Sequence, residues 1–291
     1  MSEQNSYKKI IRASSLFGFV QVGNILIAIV RSKVLALLVG PAGYGIFGLL
    51  NSTADLIRMA TGFGLETSSV KIISESAQDA EQLQEKASVV LRLTIYTGII
   101  GTLIAIVFSK YFSILVFGDI SKTFAIIFIA ISILFQQVAN GQIAVMQGLQ
   151  KLSFLAKANL YGNLAGLLIT LPLYYIYKFD AIVPSIIIAS VLNFGLSGYF
   201  YRKIKPGYIQ GNIKQTLKGG RDILYFGAML SISSFLPILS NYIIQVFISN
   251  TSTLAVVGLF TISMALINSY VGGIVYGHEC RVLSKTCCHK Q

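Results

Sequence analysis

The chain has 291 residues, 54% of them hydrophobic and only 12% charged, with a mean hydropathy of +0.72; an ordinary soluble domain carries about 25% charged residues. That balance excludes a soluble globular domain. The net charge of +12 would point to nucleic acid in a soluble protein, but here the basic residues fall between long apolar runs, so an all-α polytopic membrane protein without a nucleic-acid partner is expected.

From the N-terminus, Lys8, Lys9 and Arg12 precede an apolar stretch too long for a cleavable signal, which is expected as a retained first span near 13–39. Charge-free runs at 34–54, 123–150, 158–177, 181–201 and 223–278 each reach the roughly 20 residues a helix needs to cross the hydrocarbon core. The last is long enough for two crossings, with Asn250-Thr-Ser-Thr253 as its turn. With 88–108 added, about eight transmembrane helices are predicted, near 13–39, 43–65, 88–108, 123–148, 158–177, 181–201, 224–248 and 254–276. If the N-terminus is inside, sixteen of the 23 basic residues lie on that side and three, Lys110, Lys122 and Lys178, on the other. The asymmetry predicts an N-in, C-in topology.

Most connections are short, as at Gly40-Pro41 and Phe179-Asp180. Two on the inner side are longer. In 66–87, Ser76-Ala-Gln-Asp79 followed by Ala80–Lys86 reads as a short, capped, solvated helix. The basic stretch 202–222, broken by Pro206-Gly207, reads as a linker. A weak internal echo supports a boundary there: Gly48-Leu-Leu50 to Ile57 aligns with Gly258-Leu-Phe260 to Ile267 at a shift of 210. The expected organisation is an N-terminal six-helix lobe at 1–201, a basic cytoplasmic linker at 202–222, and the first two helices of a second lobe at 223–277. Pro172 and Pro237 inside spans are expected to kink them.

Residues 278–291 differ abruptly in composition and hold all three cysteines and both histidines. The spacing of Cys280, Cys287, Cys288 and His289 fits no zinc pattern, so no metal is assigned. A shifted reading frame after residue 277 is expected, with a native disordered tail as the alternative.

Polar residues inside apolar helices are expensive. Asn51, Asp55 and Arg58 have i, i+4, i+7 spacing, with Thr61 extending the stripe. Asp55 lies about 18 Å into the second span, near mid-membrane, where a carboxylate cannot snorkel. The face is therefore expected to border a polar cavity; a structural ion pair to a neighbouring helix is the other reading. In the first span, Gln21, Asn24 and Arg31 form a second stripe, while Lys33 lies roughly 200° round the helix from Arg31. Gln136, Asn140 and Gln147 share one face, as do Ser234, Asn241 and Gln245, and Asn159 pairs with Asn163. Such amides suit carbohydrate hydroxyls or interhelical hydrogen bonds equally well. No span contains histidine, and no catalytic set, P-loop or cofactor motif occurs. An enzyme is not expected, and no cofactor.

Lys33-Val-Leu-Ala-Leu-Leu-Val-Gly-Pro-Ala-Gly-Tyr-Gly45, followed by the helix with Gly62-Phe-Gly-Leu-Glu-Thr-Ser-Ser-Val-Lys-Ile-Ile-Ser-Glu75, resembles bacterial O-antigen flippases of the Wzx type, in the multidrug/oligosaccharidyl-lipid/polysaccharide exporter superfamily. The resemblance extends over about 5–277. It implies two six-helix lobes forming a V around a cavity. It also implies transport of undecaprenyl-diphosphate-linked oligosaccharide across the bacterial inner membrane by alternating access, driven by an ion gradient, alongside membrane lipids and other polysaccharide-assembly proteins. Carried over by position, Arg31, Lys33 and Arg58 would hold the diphosphate and Asp55 would be the ion-coupling group competing for Arg58. Gln21, Asn24, Gln136, Asn140 and Asn241 complete the expected cavity lining. About twelve spans are implied where eight are read, so a C-terminally truncated, inactive remnant or accessory membrane subunit is one alternative. A cation-coupled drug exporter of the same superfamily is another.

Overall fold

The computed structural model describes the backbone of residues 3–204, 207, 209 and 211–268, and the side chains of these residues except 3–19, 21, 213, 214 and 218. Among the described residues there is helix and no strand. In a bilayer every backbone polar group must be satisfied within its own segment, which leaves the helix as the form these apolar runs take.

Helix α1, Glu3–Gly62, is one element with a break at Gly40, whose φ of 73° and ψ of 173° are non-helical. Glycine carries that φ without steric cost, and Pro41 begins the second arm at a position where its missing N–H is no loss. The short connection expected at Gly40-Pro41 is thus a single-residue kink. Helix α2, Leu65–Glu75, follows the turn Phe63-Gly64. Helix α3, Ala80–Val107, is capped by the Asp79 carboxylate, which accepts from the N–H groups of Glu81 and Gln82 at 3.0 and 3.2 Å. The capped start read at Ser76–Asp79 thus opens the long α3, with Asp79 itself as the cap, rather than a separate short helix. The amphipathic helix of that segment is α2.

After a bend at Phe108, α4, Ser109–Phe117, ends at Gly118. Helix α5, Thr123–Gly148, runs through the middle of the bundle, with α3 and α7 as its main neighbours. Helices α6, Leu152–Tyr177, and α7, Ile182–Ile204, are joined by a single 3-10 turn at Lys178–Ala181. Helix α8, Ile213–Thr251, begins with a reciprocal Asn212/Gln215 capping box, and α9 occupies Leu254–Asn268. Pro172 and Pro237 lie inside α6 and α8, which continue through them as single helices. By length and composition Val22–Gly62, α3, α5, the stretch Leu152–Ile204 and the α8 stretch Arg221–Thr251 are able to cross a membrane. The first and fourth, at 41 and 53 residues, are long for one crossing of about 30 Å, and each is interrupted midway, at Gly40 and at Lys178–Ala181.

The largest apolar cluster joins α1, α5, α6 and α7 through Leu35, Leu50, Ile57, Ile133, Tyr174 and Ile186. The basic stretch 202–222 contains the end of α7 and the first turns of α8, and the described residues 207, 209, 211 and 212 between them are non-helical. That chain is held to α3: the Ile209 N–H donates to Ser88 Oγ at 2.8 Å, and Arg92 Nη1 donates to the Ile209 carbonyl at 3.0 Å. The end of the last expected span and the Cys/His tail at 278–291 lie outside the described residues.

Candidate functional site

The second arm of α1 ends three residues earlier than the span read from the sequence, at Gly62. Asp55 and Arg58 therefore lie about 10 and 6 Å from that end at 1.5 Å per residue. The chain then turns through Phe63 and Gly64, both at positive φ (46° and 60°). A Cβ on Gly64 would collide with the Gly227 carbonyl of α8, and one on Gly227 with the Phe63 carbonyl. The corner is thus pressed backbone to backbone against α8. Across this corner the Glu66 side chain, in the first turn of α2, reaches Arg58 near the end of α1.

The result is a three-charge cluster. Arg58 Nη2 donates to Asp55 Oδ1 at 3.3 Å, Arg58 Nη1 donates to Glu66 Oε1, and Asn140 Nδ2 of α5 donates to the same Glu66 oxygen at 2.5 Å. Arg58 is 16% exposed and each carboxylate 47%. One guanidinium against two carboxylates leaves a formal −1. Arg58 also keeps a buried Nε with no hydrogen-bond partner. The cluster borders a cavity of about 170 Å³ between α1, α2, α5 and α8, lined among others by Arg58, Gly64, Glu66, Gln137, Ser231 and Ser234. At about 30 Å³ per water this space holds a few waters or one phosphate-sized group, not an oligosaccharide.

The expected stripe along α1 is only partly joined. Asn51 Nδ2 donates to the Phe47 carbonyl at 2.9 Å and Thr61 Oγ1 to the Ile57 carbonyl at 2.9 Å. Both satisfy their own helix, leaving Asp55 and Arg58 as the linked pair.

Arg31 sits in different surroundings on the first arm. Its guanidinium lies over the Phe47 ring, 5.8 Å from the centroid, its Nε is buried without a partner, and among the described residues no carboxylate pairs with it. Nearby on the same arm, Ser32 Oγ accepts from Tyr44 at 3.1 Å. Lys33 is exposed. Neither Arg31 nor Lys33 lines the 170 Å³ cavity.

The expected amides divide. Asn24 accepts from Asn163 at 3.1 Å, Gln136 donates to Ser190 at 3.0 Å across α5 and α7, and Asn140 holds Glu66. Asn241 keeps a buried Oδ1 without a partner. The Gln21 side chain lies outside the described residues. Sequence reasoning missed Glu66, and it chose Gln136 where the neighbouring Gln137 lines the cavity and donates to Thr97 at 3.2 Å. The available signal for Glu66 was the Gly62-Phe-Gly64 break directly before it.

Residues 10–276 match the family model described as polysaccharide biosynthesis protein. In three dimensions the chain is similar to the crystal structure of the eukaryotic MATE transporter AtDTX14, with a TM-score of 0.60, 12% identity, 93% of this chain covered and 66% of that one. At that identity the likeness is one of fold. No curated protein matches the sequence.

Proposed function

The chain belongs to the polysaccharide biosynthesis protein family, and from that premise we propose that it moves a lipid-linked saccharide across a membrane, with undecaprenyl-diphosphate-linked O-antigen or related repeat units as the cargo and the bacterial inner membrane as the site. The observation that carries the reading is the pairing of two differently tuned arginines on one kinked helix, facing the needs of an anionic head group. Arg31, without a carboxylate, offers a whole positive charge and a planar fork for phosphate oxygens. Arg58, shared by Asp55 and Glu66, offers a charge that the acids hold until something displaces them. Asn24 and Asn241 supply hydrogen-bonding edges for sugar hydroxyls, and Lys33 adds charge at the outer end of the first arm. Asp55 responds to the coupling cation, because protonating or ion-pairing it frees half of the Arg58 fork. The chain spans 66% of the length of the MATE transporter it resembles, so the rocking of two lobes belongs to the whole exporter.

A cation-coupled drug exporter is the second reading, favoured by the fold likeness and by the two carboxylates paired with the single Arg58 guanidinium. Complementation separates the two. In cells lacking their own lipid-linked-saccharide flippase, this chain is expected to restore surface polysaccharide, and Arg31→Ala to remove that rescue. Drug resistance without rescue would favour the second reading.

A further inference from the structure

Among the described residues Arg58 is the only basic one lining the 170 Å³ cavity, yet both terminal nitrogens of its guanidinium are occupied. The two occupants differ. Asp55 is three residues back on the same helix and moves with Arg58 as one body. Glu66 comes from across the Phe63-Gly64 corner, is half exposed, and reaches Arg58 from the first turn of another helix, steadied only by Asn140. Both carboxylates are equally exposed, and such open pairs are exchangeable. Because Asp55 shares a helix with Arg58 while Glu66 is carried on a separate helix beyond the corner, Glu66 is the one an incoming anion can displace by moving an element.

Glu66 is also two residues from Gly64, whose backbone touches the Gly227 carbonyl of α8. Ser231 Oγ of α8 is close to the same glycine and, with Ser234, lines the same cavity. The Arg58–Glu66 pair thus staples the corner that seats α2 on α8. We propose that Glu66 is an internal stand-in for the cargo's head group: a lipid diphosphate takes its place on Arg58 Nη1, and the release of Glu66 loosens the α2–α8 contact beside the cavity. This rests on the lipid-linked reading above and adds to it a residue that couples occupancy to movement. The phosphates of the head group meet Arg58 at this cavity.

The test uses the full chain in lipid nanodiscs, with geranylgeranyl diphosphate and inorganic pyrophosphate as probes in an equilibrium binding assay. Glu66→Gln removes the competing charge and is expected to tighten geranylgeranyl diphosphate binding by about tenfold; Asn140→Ala, which only unsteadies Glu66, should tighten it two- to threefold. Arg58→Ala is expected to lose most binding. As a second readout, Ser234→Cys is placed in a background where Cys280, Cys287 and Cys288 are serine. Its labelling by a water-soluble maleimide should quicken on adding geranylgeranyl diphosphate and be fast without it when Glu66→Gln is present. If binding needs Arg58 but is unchanged or weaker in both Glu66→Gln and Asn140→Ala, the stand-in role is overturned and the lipid-diphosphate reading survives. If no variant binds geranylgeranyl diphosphate, or Arg58→Ala binds as well as wild type, both fall. Equal affinity for pyrophosphate would make free phosphate the ligand and overturn the lipid assignment.

Discussion

Two arginines on α1, one on each side of the Gly40 break, show how little residue type says about a charge inside a membrane bundle. Arg58 is fixed between Asp55 and Glu66, so its neighbourhood carries a formal −1. Arg31 has an aromatic face and no ion-pair partner among the described residues, so its neighbourhood carries +1. The first arrangement is a charge held in reserve; the second is a charge on offer. A substrate with a dianionic head group meets attraction at one and competition at the other.

The comparison predicts unequal damage. Arg58→Ala should have the largest effect, because it leaves two carboxylates without their shared cation. Both acids are half exposed, so a cost of about 1 to 2 kcal/mol is expected, short of the 3 to 5 of a fully buried pair. It should appear as a lowered thermal midpoint in detergent, largely restored by adding Asp55→Asn and Glu66→Gln, with export still lost. Arg31→Ala should do the reverse, with the midpoint nearly unchanged and export down about tenfold or more, as for loss of one charge-assisted contact of about 1.5 kcal/mol. Arg31→Lys keeps the charge but not the planar fork, and should recover only part of the export. A drop in midpoint for Arg31→Ala as large as that for Arg58→Ala would erase the distinction.

Smaller effects sharpen the edges of the picture. Ser52 Oγ donates to Gln245 Oε1 at 2.6 Å, joining α1 to α8 between the two arginines; Ser52→Ala should cost about 1 kcal/mol and alter both sites equally. Smallest of all is Ser121→Ala. The Ser121 hydroxyl and N–H hold the Asp119 carboxylate below its usual range. A lowered carboxylate stabilises above its ordinary titration range and loses that contribution as pH falls through the lowered value. The variant should therefore flatten the acid side of the midpoint-versus-pH curve slightly and leave export alone.

What could be read in advance follows from range. The apolar runs located the helices because hydrophobic length acts locally, and Asp79 and Gly40-Pro41 marked boundaries because caps and breaks need only their neighbours. The site was harder. Helical spacing joined Asp55 to Arg58 within one element, but it ends where the helix ends, and Glu66 reaches Arg58 only across a corner of two positive-φ residues. Gln137, which lines the cavity, is one residue or about 100° of rotation from Gln136, a difference that an apolar sequence on all sides does not resolve. Asn140 looked like a sugar contact because its amide is equally suited to holding a carboxylate.

The most direct test is photo-cross-linking in native membranes with a diazirine-bearing polyprenyl-diphosphate saccharide, followed by peptide mapping. The account predicts label on peptides of α1 and α8 that bracket Arg31, Arg58 and Ser234, removed by excess unlabelled polyprenyl-diphosphate saccharide and not by a cationic drug such as ethidium. Label displaced by ethidium and indifferent to the diphosphate would contradict it.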